Sequence, residues 1–270
     1  MRWQPIRLGY DSPMSYTIDE RNPERQQLLA KLLDPPTRTV LAQLPRTPGA
    51  RVLDLGCGQG NTTRCLADVL EHSECLGVEY DAALVDYAQT RAENPSTVRF
   101  QQGDATNLPF PDASFDVAFC RYLLIHLADP MRAVREMMRV VRPGGFVVAY
   151  EGDFTVDGTS HPPCDGLTTL HRVWRGLFQN PPAGRRLVHY LREAGATEIR
   201  AGAWTAFEHD TTTLKRIYRL SAEATGPGGA AKGIISPSEV DEMITQLIRL
   251  ENDGSSVVVK FPDMWVIATK

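Results

Sequence analysis

The chain has 270 residues, 42% of them hydrophobic and 23% charged, with a formal net charge of -4. That length suits one large α/β domain or two small ones with a sizeable core. The acidic balance, with a pI near 5.9, argues against a broad basic face that grips a nucleic-acid backbone.

Cys57, Cys65, Cys75, Cys120 and Cys164 are odd in number and form no Cys-x-x-Cys pair. They fit neither a disulfide framework nor a zinc pattern, and free thiols fit a reducing compartment. Met1-Arg2-Trp3-Gln4-Pro5 opens no apolar signal-peptide core, and no run approaches the ~18 apolar residues of a membrane span. The expected location is cytoplasmic, with no membrane partner.

Residues 1–45 are mostly polar and predict two helices, 23–33 and 36–44, divided by Asp34-Pro35-Pro36. From Ala50 strands and helices alternate. Strands are expected at 51–55, 75–79, 98–100, 115–119 and 146–150, with helices at 61–70, 82–92 and 130–141. The last of these has Ala133, Val134, Met137, Met138 and Val141 on one face. Such alternation predicts a parallel sheet covered on both faces. After Glu151 the rhythm changes. Helices are expected at 165–178, 185–194, 212–223 and 237–251, with a strand near 198–207. Gly226-Pro227-Gly228-Gly229 is read as a linker, and the β-branched stretch 256–269, interrupted by Phe261-Pro262-Asp263, as a final strand.

The main chemical signal is Asp54-Leu55-Gly56-Cys57-Gly58-Gln59-Gly60, at a strand end and opening a helix. Glycines let a ligand approach the backbone, and the helix start presents unpaired N–H groups. A dinucleotide site is one reading. Against it, Asn61 stands where that fingerprint wants Gly or Ala, and Asp54 lies where a pyrophosphate would sit. A carboxylate there suits a ligand bearing an amino group and a positive charge. Glu79, ending the second strand, is placed to accept from ribose hydroxyls. Tyr80 beside it offers a ring face for adenine, or simple edge packing. Asp104 and the Ala105 N–H offer an acceptor and a donor to an adenine edge, the alternative being a turn-forming Asp.

These residues resemble the ordered motifs of class I S-adenosylmethionine (SAM)-dependent methyltransferases. Leu108-Pro109-Phe110-Pro111-Asp112-Ala113-Ser114-Phe115-Asp116 and Arg139-Val140-Val141-Arg142-Pro143-Gly144-Gly145 complete the set. The variant is similar to the branch that contains quinone-biosynthesis and natural-product methyltransferases. The resemblance implies a Rossmann-like α/β fold with seven strands, the last antiparallel. It implies one continuous domain: a helical lid over 1–47, a SAM-binding core over 48–151, and an acceptor-pocket insert with the remaining strands and helices over 152–270. It places Asp54, Gly56, Cys57 and Gly58 at the methionine part of SAM, Glu79 at the ribose, and Asp104 and Ala105 at the adenine. Arg121 matches a backbone position near the cofactor amino group, and Tyr10 or Tyr16 would reach the cofactor from the lid.

SAM already carries an activated methyl group, so alignment of donor and acceptor is the main requirement, with a base only where the acceptor must lose a proton. His126, just past the fourth strand, is the first candidate base and His171 the second. His161, Trp174 and Phe178 are expected to line the acceptor pocket with His171; equally, His171, Trp174 and Phe178 share one helix face as core residues would. The histidine spacing predicts no metal. The expected acceptor is a small molecule, not a nucleic acid, and the chain is expected to be a monomer or homodimer. A SAM-binding catalyst that does not transfer methyl groups, an RNA or protein methyltransferase, and an NAD-dependent oxidoreductase are the alternatives.

Overall fold

The computed structural model describes residues 22–91, 96–209 and 212–270. Helix α1 (Pro23–Leu41) leads into the alternating region: β1 (Arg51–Leu55), α2 (Asn61–Val69), β2 (Glu74–Glu79), α3 (Ala82–Thr90), β3 (Val98–Gln102), β4 (Phe115–Arg121), α4 (Pro130–Val140) and β5 (Val141–Gly152). Then follow β6 (Thr159–His161), α5 (Asp165–Leu177), α6 (Ala183–Glu193), β7 (Ile199–Trp204), β8 (Phe207–Glu208), α7 (Thr213–Ala231), α8 (Pro237–Asn252), β9 (Val257–Val259) and β10 (Asp263–Thr269).

Seven strands form one sheet in the order β3-β2-β1-β4-β5-β10-β7. β1, β2, β3, β4 and β5 pair in parallel, whereas β10 runs antiparallel between β5 and β7. This is the expected Rossmann-like architecture. Period-two alternation along β1 explains the cover on both faces. Val52 turns toward Val40 and Leu41 of α1 and Leu66 of α2, and Leu53 belongs to the core that holds Met137 of α4 and Leu187 of α6.

Three expectations about the flanking segments are corrected. The two predicted N-terminal helices are a single helix that runs through Pro35 and Pro36. Local rules break a helix there, because proline removes an N–H and restrains the residue before it. Here the Arg121 guanidinium bonds both Asp34 (2.9 Å) and Thr37 (3.0 Å), one on each side of the proline pair. The Thr37 hydroxyl in turn donates to the Leu33 carbonyl at 2.7 Å.

The Gly226–Gly229 stretch is not a linker but part of α7. Its glycines allow two neighbouring helices to come close: a Cβ at Gly226 would lie 2.9 Å from Val240 of α8, and one at Gly229 would lie 3.0 Å from Val173 of α5. The stretch 256–269 is split. Val257–Val259 joins a separate three-stranded sheet, ordered β6-β9-β8, and only Asp263–Thr269 enters the main sheet. Among the described residues no helix is long and apolar enough to cross a membrane.

Met137 is fully buried between α4 and the sheet. Met137→Ala is expected to lower unfolding free energy by about 2–5 kcal/mol, read from urea denaturation at pH 7.

Candidate functional site

The turn from β1 to α2 is built on left-handed backbone, with φ of +67° at Gly56, +53° at Gly58 and +77° at Gly60. Gly60 is fixed by sterics, because a Cβ there would meet the Phe100 ring at 2.5 Å. At Gly58 a Cβ would meet nothing within 4 Å among the described residues. A side chain at either position would also strain the backbone.

Glu79 closes this turn from the neighbouring strand. One carboxylate oxygen accepts from Gly58 N at 3.0 Å; the other accepts from Tyr80 N at 2.7 Å and Asp81 N at 3.0 Å. The carboxylate is thus aimed before any ligand arrives. Asp54 lies underneath, 1% exposed, accepting from the Thr63 hydroxyl at 2.7 Å. Burial pushes its carboxyl up to about 7, against the pull of that hydrogen bond.

β4 ends at Arg121, and Tyr122 takes a left-handed φ of +55°. That residue turns the chain into a 3-10 segment, Leu124–His126. The segment is gripped by Glu151 at the end of β5, whose Oε1 accepts from Leu123 N at 2.8 Å and Leu124 N at 2.6 Å. Glu151 is fully buried, and its Oε2 has no hydrogen-bond partner among the described residues. Burial pushes this carboxyl up to about 8, opposed by the backbone N–H groups.

A single cavity of about 1250 Å³, counted to its open mouth, joins these parts. Gly56, Cys57, Gly58, Glu79 and Arg121 line one end, with α1 above them. His126, Phe154, Trp174, Phe178, Tyr218 and Phe261 line the other. Phe154 is the hub of this aromatic chamber, with ring centroids 4.6 Å from Phe178, 4.5 Å from Phe261 and 5.4 Å from Trp174. His126 meets Phe178 edge-on at 5.3 Å. Burial holds its imidazole down to about 4, with the Arg25 cation acting in the same direction, so His126 is neutral at pH 7.

Lys260 and Asp263 complete the chamber. Lys260 Nζ lies 2.6 Å from Asp263 Oδ1 and 3.2 Å from the Phe261 carbonyl oxygen, over the Phe261 ring at 3.7 Å. Asp263, fully buried, also accepts from the Tyr122 hydroxyl and, at 3.4 Å, from the Tyr150 hydroxyl. Burial lowers the Lys260 pKa, and the Asp263 carboxylate opposes this.

Several expected site residues sit elsewhere. His161 is exposed on β6 and is not part of the cavity wall. His171 stands behind that wall, with ring centroids 5.2 Å from Trp174 and 5.8 Å from Tyr218. Its Nε2 accepts from Gly158 N at 3.4 Å, and burial holds it down to about 4. Tyr80, Asp104 and Ala105 lie on the same sheet edge as Glu79 but outside the cavity lining, and Asp104 accepts from the Thr106 N–H and hydroxyl, each at 2.8 Å. Tyr10 and Tyr16 fall outside the described residues. Sequence reading missed Tyr122, Glu151, Lys260 and Asp263. The available signal was a lysine closing the apolar run Val257-Val258-Val259.

Comparison with known proteins decides the family. A methyltransferase domain model matches residues 53–149. The O-methyltransferase cnsE of Penicillium expansum is 32% identical over 216 residues, 78% of this chain and 72% of that protein. This chain belongs to the class I SAM-dependent methyltransferases. The demethylmenaquinone methyltransferase of Deinococcus radiodurans is 33% identical over 190 residues, 69% of each chain. The solved structure of YcgJ from Bacillus subtilis superposes with a TM-score of 0.59 at 22% identity, covering 88% of this methyltransferase and 97% of that chain. For two further curated relatives the chain spans less than half of their length, 46% and 38%.

Glu79→Gln replaces one acceptor oxygen with a donor that opposes the N–H groups it faces. S-adenosylhomocysteine affinity, measured by calorimetry, is expected to fall at least tenfold, with the melting temperature lowered by a few degrees because buried N–H groups of the turn lose an acceptor.

The Glu151 carboxyl, raised from 4.5 to about 8 in the fold, contributes stability that is complete below its unfolded pKa and is lost as pH rises through 8. Glu151→Gln keeps an acceptor for both N–H groups and cannot ionise. Relative to the parent chain, the variant is expected to gain stability between pH 5 and pH 8.5, on the order of a few kcal/mol, seen as converging and then crossing melting curves.

Proposed function

We propose that this methyltransferase moves a methyl group from SAM to a small-molecule acceptor by in-line displacement. The observation that carries the reading is the single cavity. It runs without interruption from the glycine turn and Glu79 to an aromatic chamber beside His126. An enclosed chamber of that lining suits a small apolar molecule with a few oriented polar groups.

The cofactor end fits SAM on its own geometry. A Cβ at Gly58 would meet nothing within 4 Å among the described residues, and Glu79 lines the cavity with its carboxylate already anchored. Asp54 stabilises the turn through Thr63, and Glu79 would hold the ribose hydroxyls of a bound cofactor. When bound, SAM supplies a methyl group activated by its sulfonium. The protein aligns the acceptor, excludes water with aromatic side chains, and removes a proton where the acceptor requires it. His126 is the base in this reading, because it is neutral at pH 7 and lines the cavity. His171 supports the Trp174 wall from behind. Helix α1 acts as the lid, held to the sheet by Arg121.

The test is incubation with methyl-labelled SAM and an extract of the cells that make the protein, followed by separation by size. Label is expected in the low-molecular-weight fraction. Label in RNA or protein would overturn the reading. With the recovered acceptor, His126→Ala is expected to lower kcat at least tenfold while leaving S-adenosylhomocysteine affinity within twofold.

A further inference from the structure

The acceptor chamber has a definite charge character. Among the described cavity-lining residues Glu79 is the one carboxylate, and it stands at the glycine-turn end with backbone N–H groups on both oxygens. The lining cations are Arg25, Arg121 and Lys260. Arg121 is turned toward Asp34 and Thr37 of α1, and Arg25 Nε bonds the Ser221 hydroxyl at 2.9 Å. Lys260 is different. It sits among Tyr122, Phe154 and Phe261 at the wall of the chamber, 6% exposed. An ammonium carries three donors. Two of them reach Asp263 and the Phe261 carbonyl, and the third has no acceptor among the described residues.

A buried donor without a partner costs free energy that a ligand oxygen would recover. A cationic amine brings only further N–H donors and no acceptor for that third N–H. The rings of Phe154, Trp174, Phe178 and Phe261 meet at tilted and edge-on angles, leaving ring surfaces against which a flat conjugated molecule can stack. Resting on the methyltransferase reading above, we propose that the acceptor is a planar aromatic compound bearing an acidic oxygen (a phenolic or enolic hydroxyl, or a carboxylate) seated on the free donor of Lys260. Cationic amines of the same size are disfavoured acceptors.

The test uses the full chain and three matched probes: 2-naphthoate, naphthalene-2-carboxamide and 2-naphthylmethylammonium. Calorimetry is run with and without saturating S-adenosylhomocysteine. The naphthoate is expected to bind at least tenfold more tightly than the amide, and the ammonium most weakly. In the paired variant Lys260→Met with Asp263→Asn, which removes both charges together, the preference for naphthoate is expected to shrink to within threefold.

Equal or tighter binding of the ammonium by the parent chain overturns the proposal, whatever the variant does. A naphthoate preference that survives in a folded paired variant also overturns it, because another group then holds the oxygen. Failure of S-adenosylhomocysteine to bind the parent chain instead overturns the methyltransferase reading, and the probe ranking without it is scored separately.

Discussion

The Asp263 carboxylate draws three parts of the molecule to one point. It opens β10, receives the Tyr122 hydroxyl from the end of β4 and the Tyr150 hydroxyl from β5, and holds Lys260 from the link between the two sheets. Charges removed from water in this way carry a large desolvation cost, and breaking such a pair on one side leaves the other charge uncompensated. Position is therefore tightly defined where it matters. The left-handed Tyr122, the segment that carries His126 and the aromatic wall all stand on this one carboxylate and its neighbour Glu151.

The two ends of the cavity follow different construction rules. The glycine-turn end is made at the termini of adjacent parallel strands, by one turn and one carboxylate from the next strand. Such sites lie at the carboxyl edge of open α/β sheets as a consequence of topology. The aromatic end is assembled from α5, α7, the β9–β10 link and the loop after β5. Its shape depends on how those segments pack and not on any single motif.

That difference explains what could be read from the sequence. The meeting of Gly56, Gly58 and Glu79 at one sheet edge was legible because spacing along β1, β2 and the intervening turn fixes their relation locally. The parallel strands followed from the alternation, and the count of seven with an antiparallel last strand from the family resemblance. Lys260 and Tyr122, by contrast, are far apart in the chain and meet only through tertiary folding, so no spacing announces them. His161 lies in the same loop-rich stretch as Phe154, which lines the cavity, yet its short strand leaves it exposed. The helices were cut too short for a related reason. Proline and glycine are punctuation in isolation, but Arg121 braces α1 across Pro35-Pro36, and close packing of α5 and α8 favours the bare glycines of α7.

Those glycines have a bearing on how acceptor scope changes. Gly229 sits against Val173, the residue beside Trp174, with 3.0 Å between its would-be Cβ and the valine methyl. It functions as a missing shim. A single methyl group added on α7 would shift α5 by a few tenths of an ångström and carry the indole wall with it. The width of the chamber is therefore adjustable from a helix remote from the β1–α2 turn, which such a change would leave as it is.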